Sequence, residues 1–150
     1  MTELKENQKA YWQHFNDFLF KRQSTLKPKR NPLGEQWHVI KLGRRVHLEV
    51  VANGKGNRVE VYFTDKKERN ERRFALLERD FKDASIREFG SEVKWELMPA
   101  NKLSKISLIR EGKVEFDNNE KRNEQFLWLA ETAEKMHSFF EPKLKELDID

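Results

Sequence analysis

The sequence predicts an α+β fold: a five-stranded, mainly antiparallel sheet packed with three helices, in the order α-β-β-β-α-β-β-α. Three observations lead there. Residues Trp37 to Thr64 alternate apolar and polar side chains with a period of two and are interrupted by two tight turns. Two shorter strand-like runs follow, Val93-Lys94-Trp95-Glu96-Leu97 and Ser104 to Arg110. Around them lie three stretches in which apolar residues recur at helical spacing. Loops this short join antiparallel neighbours, and helices packed on one face of such a sheet are the simplest architecture.

The first helix is expected over residues 4–23. Tyr11, Trp12, Phe15, Phe18 and Leu19 form an aromatic stripe there, read as core rather than a base-stacking surface. Pro28, Pro32 and Gly34 then mark a loop. In the next hairpin, Asn53-Gly54-Lys55-Gly56 supplies residues that tolerate positive φ. Its turn pairs Val50 with Val59, Leu48 with Val61 and Val46 with Phe63 on an apolar side. Glu49 then faces Glu60, and His47 faces Tyr62, on the other. A two-residue turn at Gly43-Arg44 would set Val39 against Leu48 and Trp37 against Val50, bringing His38 beside Glu49 and Ile40 beside His47. A one-residue bulge would reverse that last assignment.

Asp65 is the expected N-cap of a second helix, with Phe74, Leu77, Phe81 and Ala84 on one face and an end near Gly90. Pro99 is expected to stop the fourth strand. Asn118 or Asn119 should cap a long last helix carrying Phe126, Leu129, Ala133, Met136, Phe140 and Leu144, with a break or kink at Pro142. Surplus aromatic surface on the helices, such as Trp128 and Phe139, could serve a homodimer.

At 150 residues and 18.1 kDa the chain reads as one domain, residues 1–150. Charged residues reach 37%, but eleven Phe and four Trp supply enough bulk to argue against disorder. With no cysteine there is no disulfide framework and no thiolate zinc site. No apolar run approaches the roughly 20 residues of a membrane helix, and Met1-Thr2-Glu3-Leu4-Lys5 is no signal peptide, so a cytoplasmic protein without a membrane partner is expected. Charge is uneven. Residues 21–58 carry ten positive and two negative side chains, or +8, leaving −4 for the rest of a chain whose net charge is +4. Such a segment either contacts phosphates or forms solvated loops and turn tips. Its phosphate-binding candidates are Lys41, Arg44, Arg45, Lys55 and Arg58, the last four taken as clustered at the strand turns.

The polar sheet face supplies the other candidates: His38, His47, Glu49, Glu60 and Tyr62. Glu49 opposite Glu60 repels unless a proton, a cation or water relieves it, with Lys41 or Lys94 as the neighbouring cations. His38 could join both glutamates around a hard or borderline metal ion. Known catalytic templates do not fit. The chain has no GxSxG elbow and no HExxH motif, and Gly54-Lys55-Gly56 is a hairpin tip rather than a P-loop. The order α-β-β-β-α-β invites comparison with the PD-(D/E)XK nuclease core, whose acids on the second and third strands hold a metal that activates water. Glu49 and Glu60 stand on such strands, but Tyr62 occupies the place of the required lysine. No catalytic residue, cofactor or resident metal is therefore assigned, and the chain is read as more a binder than an enzyme.

Over nearly its full length the chain resembles the bacterial and archaeal domain-of-unknown-function family 4268. The resemblance is carried by Tyr11-Trp12 with Phe15 and Phe18, by Arg58-Val59-Glu60-Val61-Tyr62-Phe63, and by Phe74 with Leu77. Glu88-Phe89-Gly90 before Trp95-Glu96, Ser104-Lys105-Ile106, Trp128-Leu129 and Phe140-Glu141-Pro142 extend it. Lys105 stands where the family pattern leads one to expect arginine. The resemblance implies a stand-alone domain or a partner of nuclease-like domains, near nucleic-acid processing or defence, with no assigned reaction. Three readings follow: a non-catalytic binding module for nucleic acid or a nuclease-like protein, a divalent-metal-dependent hydrolase or degenerate nuclease, and a homodimeric scaffold.

Overall fold

The computed structural model describes residues 2–98 and 103–147. Its elements are α1 (Glu3–Lys21), β1 (Trp37–Gly43), β2 (Val46–Ala52), β3 (Gly56–Phe63), α2 (Lys67–Phe89), β4 (Lys94–Met98), β5 (Leu103–Glu111) and α3 (Asn119–Leu147). The five strands form one antiparallel sheet in the order β1-β2-β3-β5-β4. Fold class and element order are those the sequence predicts. Pro99 lies outside the described residues.

Each helix is legible in its sequence. The hydroxyl of Thr2 accepts from Lys5 N and caps α1, while Glu3 and Glu6 complement the positive end of the helix dipole. Tyr11, Trp12, Phe15 and Leu19 are buried, so the aromatic stripe is core. The cap position of α2 is Lys66, one residue later than expected. Asp65 instead ties down the approach to the helix. Its N–H donates to Asn70 Oδ1, its carbonyl accepts from Asn70 Nδ2, and its carboxylate accepts from Lys66 N. Asn118 Oδ1 accepts from Lys121 N and caps α3. That helix runs unbroken through Pro142 to Leu147, against the expected break. Its packing is strong enough to override the lost N–H: Met136, Phe140 and Leu144 bracket the proline and are buried in the core.

All three helices cover one face of the sheet. Val46, Leu48, Val50, Val59, Val61, Phe63, Ile40 and Ile106 project from that face into a single core with Trp12, Phe15, Phe74, Leu77, Phe126 and Phe140. Trp128 and Phe139, expected as spare interface surface, are partly buried and packed against this core. The loop after α1 returns along β1. Lys29 N donates to Val39 O at 2.9 Å and Lys41 N to Lys27 O at 2.8 Å, so this segment closes the outer edge of β1. Buried Gln125 joins α1 to the segment before α3: its Oε1 accepts from Tyr11 OH and Glu115 N, and its Nε2 donates to Lys113 O. No helix among the described residues is long and apolar enough to cross a membrane.

Candidate functional site

The β2–β3 register is the one the turn chemistry predicts. Glu49 lies opposite Glu60 and His47 opposite Tyr62, on the face without helices. The β1–β2 register differs by one residue. Arg44 and Arg45, not Gly43 and Arg44, occupy the turn, with Arg45 at φ 59°, and the pairing shifts between Lys41 and Gly43. Val39 therefore opposes Glu49, and His38 opposes Val50. A one-residue shift turns His38 to the helix side. There it is 2% exposed, stacks on Trp12 at 5.7 Å and donates from Nε2 to Asn16 Oδ1 at 3.0 Å. Burial, helped by the Arg30 charge, lowers its pKa from 6.5 to about 4.

Without His38, the carboxylates find other partners. Glu60 is 3% exposed, with Oε1 at 3.0 Å from Arg58 Nε and 3.5 Å from Lys105 Nζ. Arg58 Nε makes the ion pair without the alignment of a hydrogen bond. Glu49 Oε2 lies 3.4 Å from His47 Nε2, and the His47 ring stacks on Tyr62 at 5.4 Å. Burial and the two carboxylates raise the Tyr62 pKa. The cations that relieve the Glu49–Glu60 pair are thus Arg58 and Lys105, rather than Lys41 or Lys94. No group of three His, Cys, Asp or Glu among the described residues is arranged to hold a metal ion. This face is an internally compensated salt-bridge surface.

The basic candidates separate in the same way. Lys55 lies at the β2–β3 turn, and Arg44 and Arg45 at the β1–β2 turn. Seven residues of β2 stand between the turns, which puts them about 20 Å apart at opposite ends of the strand. They are not one cluster, and Arg58 is engaged by Glu60.

A different set of arginines joins Arg44 and Arg45. β3 runs antiparallel to β2 and so returns to the β1–β2 turn, delivering the start of α2 to the same place. Arg69, Arg72 and Arg73 stand at i, i+3 and i+4 on that helix and therefore share a face. With Arg44, Arg45 and Asp65 they line a cleft of about 50 Å³, completed by Leu76 and Leu147. Arg73 is mostly buried, donates from Nη1 to Arg44 O at 2.9 Å and lies over the Phe63 ring, so it props the turn from beneath. Arg69 reaches Asp65 at 3.6 Å. The side chains of Arg44, Arg45 and Arg72 are exposed and have no hydrogen-bond or ion-pair partner among the described residues. Among the described residues, Arg69 pairs with Asp65 and Arg73 holds the turn, which leaves Arg44, Arg45 and Arg72 as three guanidinium groups lining the cleft without a partner. The backbone hydrogen bond from Lys66, helped by Arg69, Arg45 and Arg73, holds the Asp65 pKa below its usual value. Across the same turn, Lys29, Lys41, Gly43, Val46 and His47 line an open groove of about 320 Å³. Lys41 thus falls beside the arginines. The α2 arginines could have been found from their spacing, but in isolation that spacing reads as a solvated helix face.

The family model described as Domain of unknown function (DUF4268) matches residues 7–144. No curated protein and no solved structure matches the chain.

Proposed function

Because the chain belongs to the DUF4268 family, which brings no reaction with it, we propose from its own geometry that it is a non-catalytic module binding nucleic-acid phosphates at the arginine cleft. The observation that carries this is the convergence of Arg44, Arg45, Arg69, Arg72 and Arg73 from two separate elements on one concave site. Like charges brought together raise the folding free energy unless something offsets them, and phosphate oxygens accept from guanidinium forks in bidentate geometry. A left-handed Arg45 costs about 1–2 kcal/mol relative to glycine, while Gly43, two residues earlier, does not take that conformation. Strain spent on displaying an arginine supports a binding role for the turn. In this reading the chain works in the cytoplasm, beside nucleic acid or a nuclease-like partner protein.

Fluorescence anisotropy with DNA and RNA strands across a salt series tests the reading. Wild-type affinity should fall steeply with salt, and Arg44→Glu with Arg72→Glu should abolish binding at moderate salt. Neutralising one phosphate-binding arginine should lower the log–log salt slope by roughly 0.7–0.9. Lys55→Glu, at the far end of β2, should matter little. Absence of binding at low salt, or binding indifferent to salt and to the two reversals, sinks the proposal.

A further inference from the structure

We propose that the arginine cleft takes the terminal phosphate monoester of a nucleic-acid strand, in preference to an internal phosphodiester. This rests on the phosphate-binding reading and narrows it to a ligand class. Size comes first. About 50 Å³ is room for one phosphate-sized group, not for a nucleotide or a continuous duplex. The cleft is bounded by the β1–β2 turn, the start of α2 and Leu147 at the end of α3. A strand can insert an end there more readily than it can thread through.

Charge comes second. A phosphodiester carries one negative charge and two unbridged oxygens. A monoester carries close to two charges near neutral pH and three free oxygens. Three guanidinium groups without partners among the described residues are better matched by the monoester. Arg44, Arg45 and Arg72 have side chains without partners among the described residues and are available to meet three oxygens, while Arg73 fixes the turn that presents two of them. Continuity comes third. The open groove beside Lys29 and Lys41 begins on the other side of that turn, at Gly43 and Val46, and offers cations to the next phosphates of the same strand. Contacts for a chain end and for its continuation thus meet at Arg44 and Arg45.

The experiment uses the full chain and internally labelled single strands of one sequence carrying a 5′-phosphate, a 3′-phosphate, hydroxyls at both ends, or a closed circle. Anisotropy is read at about 100 mM salt. One phosphorylated end should bind about tenfold tighter than the hydroxyl-ended strand, the worth of one further charge-assisted contact. The 5′ and 3′ arms identify which end is taken. Arg72→Gln and Arg44→Gln, both at exposed positions, should bring phosphorylated and hydroxyl ends to equal affinity, and Lys55→Gln should not. The preference should shrink at pH 5, where the monoester has lost its second charge. Equal affinity for circles, hydroxyl ends and phosphorylated ends, with salt-dependent binding intact, overturns the end-specific inference and leaves the broader reading standing. Failure of every strand to bind at low salt overturns both.

Discussion

His38 should make the fold sensitive to mild acid, by an amount that follows from its surroundings. The ring is 2% exposed, lies flat against Trp12, gives its Nε2 proton to Asn16 and faces the Arg30 charge. Protonating it in place would put an imidazolium beside an arginine with little water, which is why its pKa drops from 6.5 to about 4. In the unfolded chain the same imidazole takes a proton near its ordinary value. Between those limits the unfolded state binds more protons, so stability falls as pH falls. The contribution is fully present above pH 6.5, is lost through the window down to about pH 4, and changes no further below it. At about 1.4 kcal/mol per pH unit, the loss is about 3 kcal/mol. Against a typical stability of roughly 5–15 kcal/mol this is large. Urea unfolding of wild type and His38→Gln from pH 7.5 to 4 isolates the effect, because glutamine cannot charge and the carboxylate contributions cancel in the difference. The wild-type midpoint should fall relative to the variant by about 1–2 M urea across the window. Parallel pH profiles, or a His38 ring that titrates near 6.5 by NMR in the folded protein, would refute the reasoning.

Gln125→Leu should cost about 2–4 kcal/mol, since it strands Tyr11 OH, Glu115 N and Lys113 O. Tyr11→Phe should cost only about 1 kcal/mol, because Glu115 still serves the glutamine oxygen; thermal unfolding showing the reverse order would contradict this arrangement. Glu60→Gln should destabilise by about 1–2 kcal/mol, limited by the access of Arg58 and Lys105 to water. Glu49→Gln should change stability by less than about 0.5 kcal/mol, as chemical denaturation would show, since its loss also relieves the repulsion from Glu60. Gly56→Ala should cost about 1–3 kcal/mol, because its new Cβ would clash with the backbone carbonyl oxygen of Arg110. Gly54→Ala meets nothing within 4 Å and should unfold at the wild-type temperature or slightly above it.

What sequence reading recovered, and what it missed, both trace to turns. Asn53 and Gly56 bracket a loop whose chemistry permits one pairing, so Glu49 opposite Glu60 followed directly. The Gly43-Arg44-Arg45 turn offers no such certainty. Glycine is the natural occupant of a left-handed position, yet Arg45 takes it, and the extra residue it introduces rotates β1 by one. His38 therefore left the site it had been assigned to. The cleft was hidden for a different reason. It is assembled across long sequence separation, from a turn at residues 44–45 and a helix that starts at Lys67. Only the antiparallel return of β3 shows that they meet. The split between Lys55 and Arg44 was legible, since a seven-residue strand separates its two ends.

The segment laid along β1 also limits how copies of this chain can associate. With Lys27 and Lys29 hydrogen-bonded to Lys41 and Val39, that margin of the sheet has little backbone left to offer a new strand. Among the described residues, β4 has no neighbour on its outer side. A sheet with a single open margin can join another copy only β4 to β4, through a two-fold axis. Edge-to-edge growth would then end at two chains and ten strands, with no route to a filament.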